Sequence, residues 1–345
     1  MNMDEKLHFA DLSDRLLDWY ARAARELPWR IGPADRARGV KPDPYRVWLA
    51  EIMLQQTTVP HATRYYLAFT ERWPTIDDLA AAKDEDVMAA WAGLGYYARA
   101  RNLLKCAREV QVRGGWPDTV KGLLELPGVG PYTAGAIAAL AFGRRAAAVD
   151  GNVDRVFARL MALDGEWKAE KVRLKRVVEG LVPEDRPAEF AEALMDLGAT
   201  ICTPKSPNCL LCPVAETCAG RAEGAPERYP VKPKRSPKPT RKGHLYVLFG
   251  AEGTVLTERR PDKGLLGGMM GLPTSDWSTD PGVPEFPSEA NWEEVGEVRH
   301  VFTHFALTLK VWRAEEGGRQ FETNRSHAAD GLPSVFAKGL KLAAV

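Results

Sequence analysis

The sequence predicts a multidomain protein: an all-α domain ending in a four-cysteine loop, a basic linker, and a smaller α+β domain. Three observations carry this. Apolar residues recur at helical spacing from residue 11 to about 218. From residue 244 onward the pattern changes to alternating or continuous runs of β-formers. Between them, residues 220–243 mix proline and glycine with lysine and arginine, the composition of an exposed, partly extended linker. A chain of 345 residues is long enough for two separate cores. The predicted bounds are therefore 1–219, 220–243 and 244–345.

Taken in order, Leu12, Leu16, Trp19, Tyr20, Ala23 and Leu27 mark one face of a first helix. Residues 30–36 and 41–44 read as a loop. Further helices are predicted near 46–58, 62–72, 84–91, 98–113, 119–125, 132–142, 152–163, 169–180 and 187–199, punctuated by Asp, Pro and Gly. In the third segment His244–Gly250, Thr254–Arg259 and Arg299–Trp312 read as strands. The formal net charge of +1 excludes no class of partner, so charge matters locally. Lys232, Lys234, Arg235, Lys238, Arg241 and Lys242 gather between Val231 and Lys242 without an acid. The N-terminus lacks a signal-peptide pattern, and the most apolar helix-like piece, Ala134–Ala141, is too short to span a bilayer. With reduced cysteines, this points to the cytoplasm.

Cys202, Cys209, Cys212 and Cys218 are spaced C-x6-C-x2-C-x5-C, while Cys106 lies apart in a helical stretch. Four thiolates in one short loop imply a cation to hold them together. Zinc usually takes two close pairs, and here only Cys209 and Cys212 form one. The wider outer spacings suit a [4Fe–4S] cluster. Zinc and disulfides are the alternatives.

Three further segments can carry chemistry. Leu126-Pro-Gly-Val-Gly-Pro-Tyr132 joins two predicted helices. Its Gly128-Val129-Gly130 turn can aim backbone N–H groups at an anion such as a DNA phosphate. The plain alternative is a tight turn between packed helices. Asp150 heads a helix, where a capping aspartate is the ordinary interpretation. Glu51 lies among Leu49, Ile52, Met53 and Leu54, which cover most of a helix circumference. A solvated face is its ordinary fate, but burial would raise its pKa and make it a proton donor near neutrality.

In order along the chain, Glu51-Ile-Met-Leu-Gln-Gln-Thr, Gly93-Leu-Gly-Tyr-Tyr-Ala-Arg-Ala-Arg-Asn102, the Gly-Val-Gly hairpin, Val149-Asp-Gly-Asn-Val and the cysteine loop resemble the landmarks of the endonuclease III superfamily. The match is closest to its MutY-type adenine DNA glycosylases, over roughly residues 11–312. The resemblance implies a helix-hairpin-helix glycosylase domain with a [4Fe–4S] cluster, acting as a monomer on double-stranded DNA that holds adenine opposite 8-oxoguanine or guanine. It implies Glu51 as the acid that protonates adenine and Asp150 as the carboxylate facing the sugar, with Tyr132 beside them. Gln56 and Tyr96 resemble intercalating residues, and Trp29, Arg30 and Leu54 resemble pocket residues. Bifunctional relatives carry a lysine nucleophile after the hairpin. Tyr132 stands there in this chain, and a phenol forms no imine, so base removal without strand cleavage is expected.

Thr254–Arg260 and Gly264–Pro273 resemble the MutY C-terminal domain, which is similar to Nudix folds. A Nudix hydrolase needs a helix of spaced glutamates for magnesium. Glu293 and Glu294 supply only part of that set, so a lesion-recognition module is expected. Phe302-Thr303-His304 resembles the family's Phe-Ser-His loop, with threonine as a departure. A second departure is the long 30–43 loop. Three alternatives stand beside this: an endonuclease III-like pyrimidine glycosylase with lyase activity, a non-catalytic DNA-binding protein and a nucleotide pyrophosphatase. They are disfavoured respectively by Tyr132, by the Glu51–Asp150 pair, and by the incomplete glutamate set.

Overall fold

The computed structural model describes residues 8–231, 237–261 and 264–344. The chain forms two compact units. One comprises residues 1–84 and 101–234; the other comprises 85–100 and 235–345. The short stretch 85–100, helical at its start, thus groups with the second unit.

The first unit is helical, with α1 at Leu12–Ala23, α2 at Pro33–Ala37, α3 at Pro44–Met53, α4 at Val59–Arg72 and α5 at Ile76–Ala81. After α6 (Asp84–Ala90) come α7 at Ala98–Val112, α8 at Val120–Leu124, α9 at Pro131–Phe142, α10 at Gly151–Leu160, α11 at Trp167–Leu181 and α12 at Pro187–Thr200. Helix α3 starts where Asp43 accepts a hydrogen bond from the Tyr45 N–H and Pro44 pre-sets the first turn. It stops at Met53 rather than running to 58, because Gln56 adopts a left-handed conformation (φ 57°). Helix α9 starts at Pro131, ends on left-handed Gly143, and is buried on every side from Thr133 to Leu140. Only a glycine at 135 fits, since a Cβ there would lie 2.4 Å from the Ala147 carbonyl oxygen. This central rod packs against α3 and α12, and α10 packs against α12. The main core gathers Leu16, Tyr20, Phe157, Phe190 and Leu194, each apolar side chain contributing about 1.5–3 kcal/mol by leaving water.

The structure departs from expectation at further places, among them α5 at Ile76–Ala81, which the periodicity did not predict. Helix α1 ends at Ala23, since Ala24 is extended ahead of Pro28, so Leu27 lies outside it. The expected loop at 30–36 contains α2, started by Pro33. Residues 220–231 of the expected exposed linker include part of a short helix, α13 (Ala219–Ala222), and they bury Tyr229 against the main core. The linker's other end is already strand, because β1 begins at Thr240. Residues 232–236, with Lys232, Lys234 and Arg235, lie outside the described residues.

The second unit holds a five-stranded mixed sheet of order β5-β6-β1-β2-β7. Its strands are β1 (Thr240–Phe249), β2 (Thr254–Val255), β5 (Glu293–Val301), β6 (Ala306–Glu315) and β7 (Thr323–Asn324); β3 (Glu258–Arg259) and β4 (Met270–Gly271) form a separate pair. Strands β1 and β6 run parallel, and β5 and β6 form an antiparallel hairpin. The segment read as one strand at 299–312 is therefore two strands and their turn, closed by the Phe302 N–H donating to the Phe305 carbonyl at 2.8 Å. Helices α14 (Arg325–Gly331) and α15 (Ser334–Ala343) follow, and Val335, Phe336 and Leu340 join Leu245, Leu309 and Val311 in a second core. Residues 272–292 run without a helix. Glu293 and Glu294 lie on β5, where Glu294 pairs with Lys310 at 3.3 Å.

Candidate active site

Four helices of the first unit bring polar groups to one cleft of about 650 Å³. Helix α3 supplies Glu51, α9 supplies Tyr132, the N-cap of α10 supplies Asp150, and α12 supplies Glu192. Glu51 is 6 % exposed. Burial pushes its carboxyl up to about 7, and the nearby charges of Asp150 and Glu192 act in the same direction. A hydrogen bond from Tyr132 and the charge of Arg30 oppose this. The Tyr132 hydroxyl, buried beside two carboxyls, is held far above its ordinary pKa and stays protonated.

Asp150 caps α10 as its sequence context suggests. Its Oδ1 accepts from the Asn152 and Val153 N–H groups, both at 2.8 Å, and its Oδ2 accepts from Asn152 Nδ2 at 2.9 Å. Three donors fix the carboxylate's orientation without removing it from the cleft. Capping and a role in the cleft coexist. Arg155, one turn on, donates to Asn152 Oδ1 at 2.8 Å and to the carbonyls of Gly198 and Cys202. The Asp150 loop is thereby tied to the start of the cysteine loop.

Trp29, Arg30, Leu54 and Gln56 also line the cleft. Arg30 Nη1 donates to both Asp196 oxygens at 2.8 Å, and Arg25 adds a bond to Asp196 at 2.6 Å. Sequence reasoning missed Tyr20, Arg25, Arg36, Glu192 and Asp196. The signal was present: Glu192 and Asp196 stand four apart in a largely apolar helix segment, Glu-Phe-Ala-Glu-Ala-Leu-Met-Asp.

In the hairpin, Gly128 needs its φ of +76°, and a Cβ there would meet Asn102 Cβ at 2.7 Å. Gly130 has an ordinary φ of −90° as the N-cap of α9. Val129 is buried, and its N–H donates back to Leu126, so that donor serves the turn itself.

All four loop cysteines are free thiols, and with Val156, Arg159 and Leu160 they line one small hollow. Among the described residues no three His, Cys, Asp or Glu side chains converge tightly enough for a lone metal ion. The four thiols nonetheless share one hollow, as the donor set for a bound group would. Arg159, 2 % exposed, donates to Cys202 Sγ at 3.3 Å and to the carbonyls of Thr203 and Pro204, which suits an anionic thiolate set.

In the second unit, Tyr96 is left-handed (φ 49°) and half exposed, and its hydroxyl pairs with Thr303 Oγ1 at 3.0 Å. Lys238 Nζ donates to the Phe302 carbonyl at 2.7 Å. Thr303 and His304 are exposed in the β5–β6 turn.

The helical unit, its hairpin and its facing carboxyls define a base excision DNA repair protein of the HhH-GPD superfamily, whose family model matches residues 49–180. A NUDIX domain model matches residues 244–342. The chain belongs to the adenine DNA glycosylase family. It is 35 % identical to the Homo sapiens adenine DNA glycosylase over 86 % of its own length, and it spans 65 % of that relative. It is 34 % identical to the Mus musculus protein, covering 88 % of this chain and 72 % of that one. The adenine DNA glycosylase of Buchnera aphidicola subsp. Schizaphis graminum is 31 % identical, with 86 % of this chain and 85 % of that one covered. Among solved structures, a thermostable thymine-DNA glycosylase aligns with TM-score 0.55 at 29 % identity, covering 63 % of this chain and 98 % of its own. A non-covalent endonuclease III–DNA complex aligns with TM-score 0.52 at 23 % identity over 65 % of this chain and 99 % of that one, a likeness of fold.

Proposed function

We propose that this protein hydrolyses the N-glycosidic bond of adenine mispaired with 8-oxoguanine, or with guanine, in duplex DNA. The observation that carries the reading is a carboxyl protonatable near neutrality, Glu51, facing the same cleft as the Asp150 carboxylate. The cleft volume suits a nucleoside, and a base must leave the duplex to enter it. Adenine is a poor leaving group as an anion, and Glu51 protonates a ring nitrogen so that it departs neutral. The Asp150 carboxylate then opposes the positive charge that develops on the sugar, and the Tyr132 hydroxyl adds a hydrogen bond nearby. Water completes hydrolysis. This pairing of one protonated and one ionised carboxyl parallels glycoside hydrolysis. No amine stands at position 132 to attack the sugar, so the strand stays intact.

Gln56, Tyr96 and the Gly128-Val129-Gly130 hairpin contact the DNA in this reading, and Thr303 and His304 examine the base opposite adenine. Cys202, Cys209, Cys212 and Cys218 hold a [4Fe–4S] cluster, whose contribution when bound is to tie a loop, since base hydrolysis needs no electron. Iron and sulfide analysis of the purified protein tests this, and zinc alone in the preparation would refute it.

The decisive assay uses duplexes bearing adenine opposite 8-oxoguanine, adenine opposite guanine, and an oxidised pyrimidine, each with and without alkali. Alkali-dependent cleavage at adenine alone is expected. Cleavage at the pyrimidine without alkali would replace the proposal with a bifunctional pyrimidine glycosylase.

A further inference from the structure

Phe302 anchors the turn that carries Thr303 and His304. Its ring is partly buried against the second core, while Thr303 and His304 are exposed. Phe302 stacks on Trp277, with ring centroids 5.8 Å apart and planes 23° apart, and it meets Phe305 at 5.1 Å. Trp277 is itself held firmly. Its segment runs beside β1, where the Lys242 N–H donates to the Ser278 carbonyl at 2.7 Å and the Ser278 N–H returns a bond at 3.1 Å. Gly243 on β1 makes room for the indole, since a Cβ there would lie 2.9 Å from Trp277 Cδ1. The Arg260 guanidinium lies 4.9 Å from the Trp277 ring centroid and 5.8 Å from that of Phe336. Both polar groups are costly where they stand. Arg260 Nε and Trp277 Nε1 are buried, and among the described residues neither has a hydrogen-bond partner. Burial also lowers the Arg260 pKa, against the charge of Glu258.

We propose that Trp277, backed by Arg260, is a specificity-positioning residue: its stack on Phe302 sets the turn so that Thr303 and His304 meet the base opposite adenine in one fixed geometry. The inference deepens the proposed function and rests on it. An aliphatic side chain at either place would fill this core without burying an unpaired N–H. What a guanidinium and an indole supply instead is flat faces, which stack in fewer orientations than aliphatic groups do. Phe302 inherits that orientation and passes it to its two exposed neighbours. Polar groups that read a base discriminate only while their support keeps them within a fraction of an ångström of the right place. Arg260 touches Trp277 and not the turn, so it acts through the indole.

The test is single-turnover excision of adenine opposite 8-oxoguanine and opposite guanine. It compares the full-length protein with Trp277→Leu, Trp277→Phe, Arg260→Met and the double variant Trp277→Leu with Arg260→Met. In Trp277→Leu the rate preference for 8-oxoguanine should fall about 3- to 10-fold, the size of one lost aromatic pair. Excision opposite guanine should change by no more than about 2-fold. Trp277→Phe keeps a ring and drops the N–H, so it should hold the preference within about 2-fold. Arg260→Met should share the loss, and the double variant should lose no more than Trp277→Leu alone. Melting curves show whether each variant's sheet unit is folded at the assay temperature. An unchanged preference in Trp277→Leu and Arg260→Met, or equal slowing opposite both bases, would overturn the proposal. So would losses that add in the double variant, or a loss confined to variants whose sheet unit is unfolded. If the unsubstituted protein releases no adenine, or shows no preference for 8-oxoguanine, the proposed function itself fails, a result distinct from these.

Discussion

At the scale of single residues, Glu51 is both the useful group and the costly one. Its carboxyl titrates near 7 against an ordinary 4.5 because it is buried. Single-turnover adenine release is therefore expected to fall as pH rises through about 7, where the acid loses its proton. Glu51→Gln should cost about 100- to 10,000-fold in rate while DNA affinity is kept. Stability moves with the same proton. The folded state holds it more tightly than the unfolded chain, so this contribution is whole below about pH 4.5 and lost as pH climbs to about 7. Glu51→Gln is always neutral, and at pH 8 it should be more stable by up to about 3 kcal/mol. Thermal melts of the two proteins at pH 8 measure this, and a lower melting point for the glutamine variant would contradict it. Asp150→Asn should likewise abolish most excision and leave binding. Near-normal release by that variant would remove Asp150 from the chemistry. Glu51, Asp150 and Tyr132 were legible in the sequence because each sits in a motif. Glu192 and Asp196 were not, because carboxylates four apart on a helix ordinarily face water. Only the meeting of α12 with the 20–36 region shows that these are buried and neutralised by arginines.

At the scale of elements, periodicity located the long helices of the first unit but not α2, α5, α13, α14 or α15, and ends were set by single residues. Gln56 halts α3 by its backbone angle, and Gly143 ends α9 in the same way. Neither is visible as a break in apolar spacing. The hairpin offers a sharp test. Gly128→Ala must adopt φ +76° and also displace Asn102, so a loss of about 1–3 kcal/mol is expected, with weaker DNA binding. Chemical denaturation and a binding titration check both parts. Gly130→Ala has an ordinary φ and open space, and it should be near neutral for stability. Equal effects from the two substitutions would argue against this account. In the second unit β1, β2, β3 and β6 were recognisable from their β-formers, whereas β4, β7 and the first part of β5 were not. The turn between β5 and β6 was hidden because Phe302 and Phe305 keep the apolar run unbroken across it.

At the scale of the whole molecule, each of the two units holds a hydrophobic core of its own. Cys202, Cys212 and Cys218 pack against the first. On the proposal that these thiols hold a cluster, removing it with a chelator under reducing conditions should lower the melting transition of the helical unit and leave that of the sheet unit in place. Differential calorimetry resolves the two. A matching drop in both would show that the units unfold as one.

The grouping of residues 85–100 with the second unit has a consequence for modular exchange. Thr303 finds its hydroxyl partner in Tyr96, more than two hundred positions earlier in the chain. A C-terminal fragment beginning at residue 235 leaves that partner behind. Transplanting the sheet unit between family members should then preserve its strands but misset the β5–β6 turn, unless the 85–100 stretch carrying Tyr96 is transplanted too.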